Sequence, residues 1–247
     1  MSEHSKIEWT DSTWNPVTGC TKVSAGCKNC YAERLAPRLG QDFSEIILHP
    51  DRLDAPLHWK QPRRIFVNSL SDLFHEDVPQ GFVNDVLDRT LATPRHTYQI
   101  LTKRPKRMDN LIREWMQDRK IIHPPKNVWL GVSCEDQKTA DARIPLLLKT
   151  PAAVRFISLE PLLGPINLDR IPISHGIVEC SGGRLPALDW VIVGGESRPH
   201  ARPMHPDWAR SIRDQCQAAG VPFFFKQWGE WLLDPVARSV EGCHGRH

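Results

Sequence analysis

The sequence lacks the features of a membrane-spanning or secreted protein. It contains no run of about eighteen apolar residues, so no membrane span is expected. Its first residues, MSEHSKIEWT, contain no apolar segment of the kind that a secretory signal needs, and we therefore expect a cytoplasmic protein. No phosphate-binding loop of the G-x-x-x-x-G-K-S/T type occurs. The formal charge of +3 is too small to indicate nucleic-acid binding by itself.

Cysteine is sparse outside one short segment. Three of the seven cysteines, Cys20, Cys27 and Cys30, lie close together, and the others are scattered. Reduced thiols that cluster in a cytosolic chain bind metal more often than they pair. Structural zinc usually takes four ligands in two close pairs, and no second pair is present. A three-cysteine iron–sulfur cluster would keep one iron open for a substrate or cofactor. The cysteine loop, residues 15–34, therefore predicts a metal site, with iron–sulfur favoured over zinc.

Short apolar runs rich in β-branched and aromatic residues recur along the chain. Near-continuous hydrophobicity of this kind is typical of strands buried on both faces of a parallel sheet. Amphipathic helical patterns separate the runs, so strand and helix alternate about six times. This pattern predicts an α/β protein with a TIM-like parallel barrel or partial barrel, and a doubly wound open sheet is the competing arrangement. The predicted strands cover 65–67, 98–101, 128–132, 154–157, 190–193 and 222–225.

The whole chain, 1–247, is predicted to be a single barrel-like α/β domain, because parallel barrels of about 250 residues are ordinary. Residues 170–187, RIPISHGIVECSGGRLPA, interrupt the alternation and are predicted to be a loop insertion. Residues 232–247 are predicted to be a polar tail.

Polar residues follow each predicted strand. The carboxyl ends of the strands in a parallel barrel share one rim, where active sites form, so these residues predict a lined pocket. Asp72, Glu160 and Glu196 are the catalytic candidates, and the alternative is that they form structural ion pairs. Burial would raise the pKa of such carboxylates unless a cation pairs with them. The candidate ligand-binding residues at the rim are Asn68, Ser69, Lys103, Ser133, Gly194 and Gly195, the last two because glycine lets backbone approach a ligand closely.

The cysteine loop and the strand pattern together resemble the radical S-adenosylmethionine enzymes. More closely, the segments WNPVTGC, GCKNCYAERL, VNSLSDLFHEDVP, ILTKRP, SLEPLLGPI and VGGESRPHARP are similar to a phage and bacterial three-cysteine protein family catalogued as a domain of unknown function. That likeness extends from about residue 5 to 231. A tyrosine follows the third cysteine, as in the photoproduct-lyase-like branch of the radical enzymes.

The resemblance implies that Cys20, Cys27 and Cys30 ligate a 4Fe–4S cluster. In the superfamily the open iron binds S-adenosylmethionine, and an electron donor drives its cleavage to a 5′-deoxyadenosyl radical. The first cysteine gap here is six residues, whereas the common spacing is C-x3-C-x2-C. A Gly-Gly-Glu-type motif normally follows the second strand of these enzymes. Here Asn68, Ser69 and Asp72 are the candidates for that role, because GGE occurs only after a much later strand.

The residues and this resemblance together predict a cytoplasmic iron–sulfur enzyme, which the resemblance implies is of the radical S-adenosylmethionine type, that acts on a nucleic acid or nucleotide. Nine tryptophans and the basic cluster KRPKR suit the faces of bases and phosphates. Two other classes stay open. One is a zinc-stabilised barrel that binds nucleic acid without catalysis, and the other is a metal-dependent hydrolase that uses Asp72, Glu160 and Glu196.

Overall fold

The computed structural model describes residues 5–173, 176–177, 188–197 and 199–231. The predicted polar tail, 232–247, lies outside the described residues, and so does most of the predicted insertion, 170–187. The described part of that insertion pairs Pro172–Ile173 with Gly176–Ile177 as two antiparallel strands. No helix in the described ranges is long and apolar enough to cross a membrane.

The main sheet has seven strands that follow one another in chain order. Neighbouring strands among the first four pair in parallel, and so do neighbouring strands among the last three. Most successive strands are separated by a crossover that contains a helix, as parallel pairing requires. The six predicted runs are all strands, and the sequence missed only the first strand, which is short. The strands are β1 Ser12–Trp14, β2 Arg64–Val67, β3 Thr97–Thr102, β4 Val128–Ser133, β5 Val154–Leu159, β6 Trp190–Gly194 and β7 Phe223–Gln227.

Six α-helices lie in the described connections. Their bounds are α1 Tyr31–Leu35, α2 Ala55–His58, α3 Gln80–Ala92, α4 Pro105–Asp118, α5 Gln137–Lys149 and α6 Pro206–Ala219. Helices α4 and α6 begin with proline, whose missing N–H costs nothing in the first turn. Helix α6 is followed by Gly220, which has a φ of 67° and whose N–H caps the last carbonyl groups.

The chain divides into two compact units. The first contains residues 1–23, 32–132 and 146–155, and the second contains 24–31, 133–145 and 156–247. The prediction of an α/β chain built on parallel strands is confirmed.

The first unit has a core to which its strands and one face of each of helices α3 and α4 contribute buried side chains. One face of α4, which includes Met108, Ile112 and Trp115, is buried. Trp14 of β1 meets Tyr98 of β3 edge to face, with ring centroids 5.8 Å apart. Large aromatic side chains thus fill part of this core.

The second unit has an aromatic row across its three strands. Trp190 of β6 lies 5.9 Å from Phe156 of β5 and 6.3 Å from Phe224 of β7 between ring centroids. Ile212 and Cys216 of α6 are fully buried. The strand ends of each unit are therefore held by a packed layer, which allows the following polar residues to be placed with precision.

Candidate functional site

The backbone enters the cysteine segment through a glycine that no other residue can replace without strain. Gly19 has a φ of 87°, and a Cβ added here would lie 1.9 Å from the backbone oxygen of Glu45. The next residue, Cys20, donates its N–H to the backbone oxygen of Phe43 at 2.8 Å. The position of Cys20 in the first unit is therefore fixed by its backbone, while its side chain is partly exposed.

Cys27 and Cys30 lie in the second unit, where Cys27 ends a single 3₁₀ turn, Ala25–Cys27, and Cys30 follows three residues later. The N–H of Cys27 donates to the backbone oxygen of Ser24 at 3.0 Å. Both residues are partly exposed, and the structure holds all three cysteines as thiols rather than in disulfides. Among the residues that the structure describes, no three His, Cys, Asp or Glu side chains form a preassembled metal site. The metal site predicted from the sequence therefore stays a prediction.

Asp72 of the first unit is a buried acceptor at the carboxyl end of β3. The Thr102 hydroxyl donates to both of its carboxylate oxygens, at 2.7 and 2.9 Å. The backbone N–H groups of Lys103 and Phe74 donate at 3.1 and 3.0 Å. The guanidinium of Arg104 completes the set at 3.2 Å, and the side chains of this ion pair are only 7% and 5% exposed. Asp72 and Lys103, both predicted from the sequence, are thus brought together here.

Arg104 connects this carboxylate to the first cysteine. Its Nη1 lies 3.7 Å from the sulfur of Cys20, and its Nη2 donates to the backbone oxygen and hydroxyl of Thr21 at 3.3 and 2.9 Å. Its Nε donates to Glu76 at 2.7 Å. Burial disfavours the charged guanidinium, but the neighbouring carboxylates outweigh this effect and raise the pKa of Arg104. A permanent positive charge therefore lies beside the Cys20 sulfur.

His75, in its neutral form, holds Thr21, the residue that follows Cys20. Its Nδ1 accepts a backbone N–H, so its Nε2 carries the proton and donates to the Thr21 hydroxyl at 2.7 Å. Burial, followed by the nearby Arg104 guanidinium, lowers the pKa of His75. The segment that carries Cys20 is thus held by both a cation and a neutral imidazole.

Asn68, which directly follows β2, has a buried side chain whose hydrogen-bonding groups are not used. Neither its Oδ1 nor its Nδ2 has a partner within the described part of the chain, and the residue is 3% exposed. Its φ of 57° is uncommon for a residue other than glycine. The adjacent Ser69 donates instead to Asn15 at 3.1 Å. A buried amide without partners is costly, so this position is typical of a ligand-binding residue.

Glu160 of the second unit lies beside two other predicted site residues, Ser133 and Gly194. Its Oε1 accepts from Lys226 at 2.7 Å and from Gln227 at 3.4 Å, and the ion-paired side chains are 21% and 23% exposed. A Cβ at Gly194 would lie 3.1 Å from the Glu160 carboxyl carbon. The Ser133 hydroxyl donates to the backbone oxygen of Glu160 at 3.3 Å. Of the three predicted carboxylates, Glu160 has the greatest access to solvent.

Gly195 is required by contact with backbone. A Cβ there would lie 2.0 Å from the backbone oxygen of Trp228. Its N–H donates to the backbone oxygen of Gln227 at 2.9 Å. The pair Gly194–Gly195 thus lets the end of β6 pack tightly against the segment that follows β7.

Glu196 is buried and bonded to the cysteine segment. Arg202 donates to it from its backbone N–H, Nε and Nη2, at 2.8, 3.0 and 2.5 Å. Asn29 donates from its side-chain amide at 2.9 Å. Burial opposes ionisation, but these hydrogen bonds outweigh it and lower the pKa of Glu196. Arg202 also donates to the backbone oxygen of Ala25 at 3.0 Å.

Glu135 makes a second connection to the same segment. It is fully buried and accepts from Arg143 at 3.0 Å and from the backbone N–H of Gly26 at 3.2 Å. A Cβ at Gly26 would lie 3.1 Å from the Glu135 carboxylate, so the turn needs a small residue here. Arg143 also donates to the backbone oxygen of Ser133 at 2.6 Å.

Sequence reasoning found the carboxylates but only some of the residues that bind them. Asp72, Glu135, Glu160 and Glu196 are visible as acidic residues after apolar strands. Lys226 and Arg104 were visible as basic residues at strand ends, and they pair with Glu160 and Asp72, respectively. Arg143 and Arg202 gave no signal, because their partners are distant in sequence and are set by the fold.

A family profile described as "Protein of unknown function (DUF5131)" matches residues 4–247. The chain therefore belongs to this family. No curated protein matches the chain at a significant level.

Two solved structures are similar to the described fold. One is of a spore photoproduct lyase mutant in which serine replaces a cysteine, and it has a TM-score of 0.57 and 12% sequence identity. The other is titled "Spore photoproduct lyase complexed with dinucleoside spore photoproduct" and has a TM-score of 0.58 and 13% identity. Each match covers 91% of this chain and 79% of the solved chain. At these identities the likeness shows the fold alone, and it confirms the prediction of a partial parallel barrel.

Proposed function

We propose that this member of the DUF5131 family is an iron–sulfur enzyme of the radical S-adenosylmethionine type that acts on a nucleic acid or nucleotide. Cys20, Cys27 and Cys30 would hold a 4Fe–4S cluster, and the polar strand ends would surround cofactor and substrate. The observation that carries the proposal is the position of the three-cysteine segment, which directly follows the first strand of a fold similar to spore photoproduct lyase.

The residues present fit such a cluster by their chemistry. Three partly exposed thiols are soft donors suited to iron–sulfur ligation, and three ligands leave one iron open. When bound, the cluster and S-adenosylmethionine would supply the radical chemistry. The protein's own contribution would be to bind and orient these groups and to exclude water. Arg104, held beside Cys20, would balance part of the negative charge that three thiolates bring.

Asn68 fits a role in binding the cofactor. Its amide offers one acceptor and two donor positions, and none of them has a partner among the described residues. The amino and carboxylate groups of an amino-acid moiety, such as that of S-adenosylmethionine, require both kinds of partner. Ser69 and Lys103 follow the ends of β2 and β3 and are the other predicted binding residues of this unit.

Glu160 is our candidate for contact with the substrate, because its carboxylate is more exposed than those of Asp72 and Glu196. Asp72 and Glu196 are buried and paired with arginine, which favours a role as permanently ionised partners of those arginines over a role in proton transfer. One of the similar solved structures is titled as a complex with a dinucleoside photoproduct. That title supports a substrate class of nucleotides or nucleic acid for this chain.

The proposal is tested by anaerobic purification and reconstitution with iron and sulfide. We expect about four iron and four sulfide per chain, a brown protein with broad absorption in the visible range, and reductive cleavage of S-adenosylmethionine to 5′-deoxyadenosine and methionine. Stoichiometric zinc with no uptake of iron would refute the proposal. A cluster-bearing protein that never cleaves S-adenosylmethionine would refute its radical part.

Cysteine variants give the matched control. Single replacements of Cys20, Cys27 or Cys30 by alanine should abolish stable iron binding. Cys134→Ala should retain it, because Cys134 is fully buried and lies outside the cysteine loop. Glu160→Gln should then lower turnover of substrate without reducing iron content or the melting temperature.

A further inference from the structure

The stretch Ser24–Asn29 of the second unit contains Cys27, directly precedes Cys30, and has little regular structure of its own. Its only helical element is the three-residue turn Ala25–Cys27. A segment of this kind would not keep one conformation by local hydrogen bonds alone, since so few residues are fixed by them. The side chains that bind it from elsewhere in the unit therefore decide where Cys27 and the adjoining Cys30 lie.

Three points of this segment are bound by side chains. The N–H of Gly26 donates to Glu135, and the backbone oxygen of Ala25 accepts from Arg202. The side-chain amide of Asn29 donates to Glu196. Donors and acceptors from different strand ends thus bind the segment just before Cys27 and just before Cys30.

The two carboxylates at these points are placed by buried strands. Glu135 lies two residues after the end of β4, and Glu196 lies two residues after the end of β6. Glu135 is 0% exposed and Glu196 is 5% exposed. Each is held in turn by an arginine, Arg143 for Glu135 and Arg202 for Glu196, so neither carboxylate is left as an uncompensated buried charge.

The geometry does not suit a proton-transfer role for these two residues. Both oxygens of Glu196 accept from Arg202, and one of them also accepts from Asn29. Both oxygens of Glu135 are likewise used, one by Arg143 and one by Gly26. A general acid or base needs an oxygen within hydrogen-bond reach of the substrate, and these oxygens are buried in bonds to the protein.

We infer that Glu135 and Glu196, supported by Arg143 and Arg202, are positioning residues that hold Ser24–Asn29 in the conformation that presents Cys27 and Cys30 for metal binding. The inference rests on the proposed function for the identity of the metal group. The anchoring itself concerns only bonds between protein groups.

Hydrogen–deuterium exchange of the metal-free chain tests the anchoring directly. Glu135→Gln and Glu196→Gln keep the shape of the side chain but replace the carboxylate that accepts from Gly26 or Asn29 by an uncharged amide. Loss of a charge-assisted hydrogen bond is expected to raise exchange of peptides covering 24–30 by about 10- to 100-fold. Exchange in β5 and β6 should stay as in the wild type, which shows that the variants are folded.

Two further variants separate anchoring from general destabilisation. Asp207→Asn removes an exposed ion pair with Arg210 on α6 and should leave exchange of 24–30 unchanged. Arg202→Lys keeps the charge but cannot bind Glu196 and the Ala25 oxygen with the same fork, so it should raise exchange in 24–30 alone. Unchanged exchange of 24–30 in the glutamine variants, or an equal increase throughout the unit, would overturn the inference.

Cluster retention provides the second measurement. After reconstitution, we expect the glutamine variants to lose iron to a chelator about tenfold faster than the wild type, whereas Asp207→Asn should match it. Equal loss rates would overturn the positioning role even if exchange increased. If the wild-type chain takes up no iron while the local exchange result holds, the proposed function fails and the anchoring stands.

Discussion

Replacing Arg104 by methionine tests how strongly the strand ends of the first unit hold Cys20. The methionine keeps much of the apolar stem but removes every guanidinium bond. The bonds lost are those to Asp72, Glu76, the Thr21 backbone and hydroxyl, and the Cys20 sulfur. Asp72, with a side chain only 7% exposed, would then keep a buried negative charge without its cation.

The expected cost follows from this burial. Removing one partner of a buried ion pair typically costs about 3–5 kcal/mol. Asp72 retains neutral donors from Thr102, Lys103 and Phe74, so we expect the lower end, about 3 kcal/mol. Asp72→Asn in the Arg104→Met background removes the stranded charge and should recover about 1–2 kcal/mol of that loss.

The assay is urea denaturation of the wild type, both single variants and the double variant. Arg89→Met is the matched control, because its ion pair with Asp54 is much more exposed, and it should cost less than about 1 kcal/mol. A loss below about 1 kcal/mol for Arg104→Met would refute the reasoning. Strict additivity of the two single variants would also refute it, since additivity means that Arg104 and Asp72 are not coupled.

Three other outcomes are expected. Gly19→Ala should lower the free energy of unfolding by more than about 2 kcal/mol, because the added Cβ would clash with a backbone oxygen at a residue that also has a positive φ. Gly40→Ala, at a φ of 69° with open space around it, should cost only about 1 kcal/mol. Equal melting temperatures of the two variants would contradict this reasoning. Asn68→Gly should keep or raise the melting temperature, since it removes a buried amide that has no partner among the described residues and lies at a φ of 57°. Calorimetry should show that this variant binds S-adenosylmethionine at least about tenfold more weakly. Unchanged affinity would argue against a binding role for Asn68. Burial and a neighbouring guanidinium lower the pKa of His75, so the unfolded chain binds this proton at higher pH than the folded chain does. The contribution of His75 to the free energy of unfolding is therefore fully present above about pH 6.5 and falls as the pH drops below that value. The variant His75→Gln should flatten this fall in urea midpoints measured from about pH 7.5 to 5.

The fold was largely predictable because its signal is local. Each buried parallel strand needs a continuous apolar run, so β2 to β7 were visible as such runs. Strand β1, Ser12–Trp14, was missed because it has only three residues and two of them are polar. Proline at the start of α4 and α6 acts within one turn of the chain and is likewise visible in the sequence.

The candidate site was predictable only in part. That Asp72, Glu160 and Glu196 follow strands is a property of the sequence, but their partners are not. Glu196 accepts from Asn29, which precedes it by 167 residues, and no spacing rule covers such a distance. The unpartnered amide of Asn68 is also invisible in the sequence, because whether a buried group has a partner depends on everything packed around it.

By itself, the sequence determined the parallel α/β class and the presence of three thiols in one short segment, because apolar runs and residue spacing are local properties. Only the tertiary structure decided which groups bind that segment. Arg104 lies beside Cys20 in the first unit, and Glu135 and Glu196 bind Ser24–Asn29 in the second. The physical reason is that hydrogen bonds and ion pairs depend on distances of about 3 Å, and the fold alone sets such distances between residues far apart in the chain.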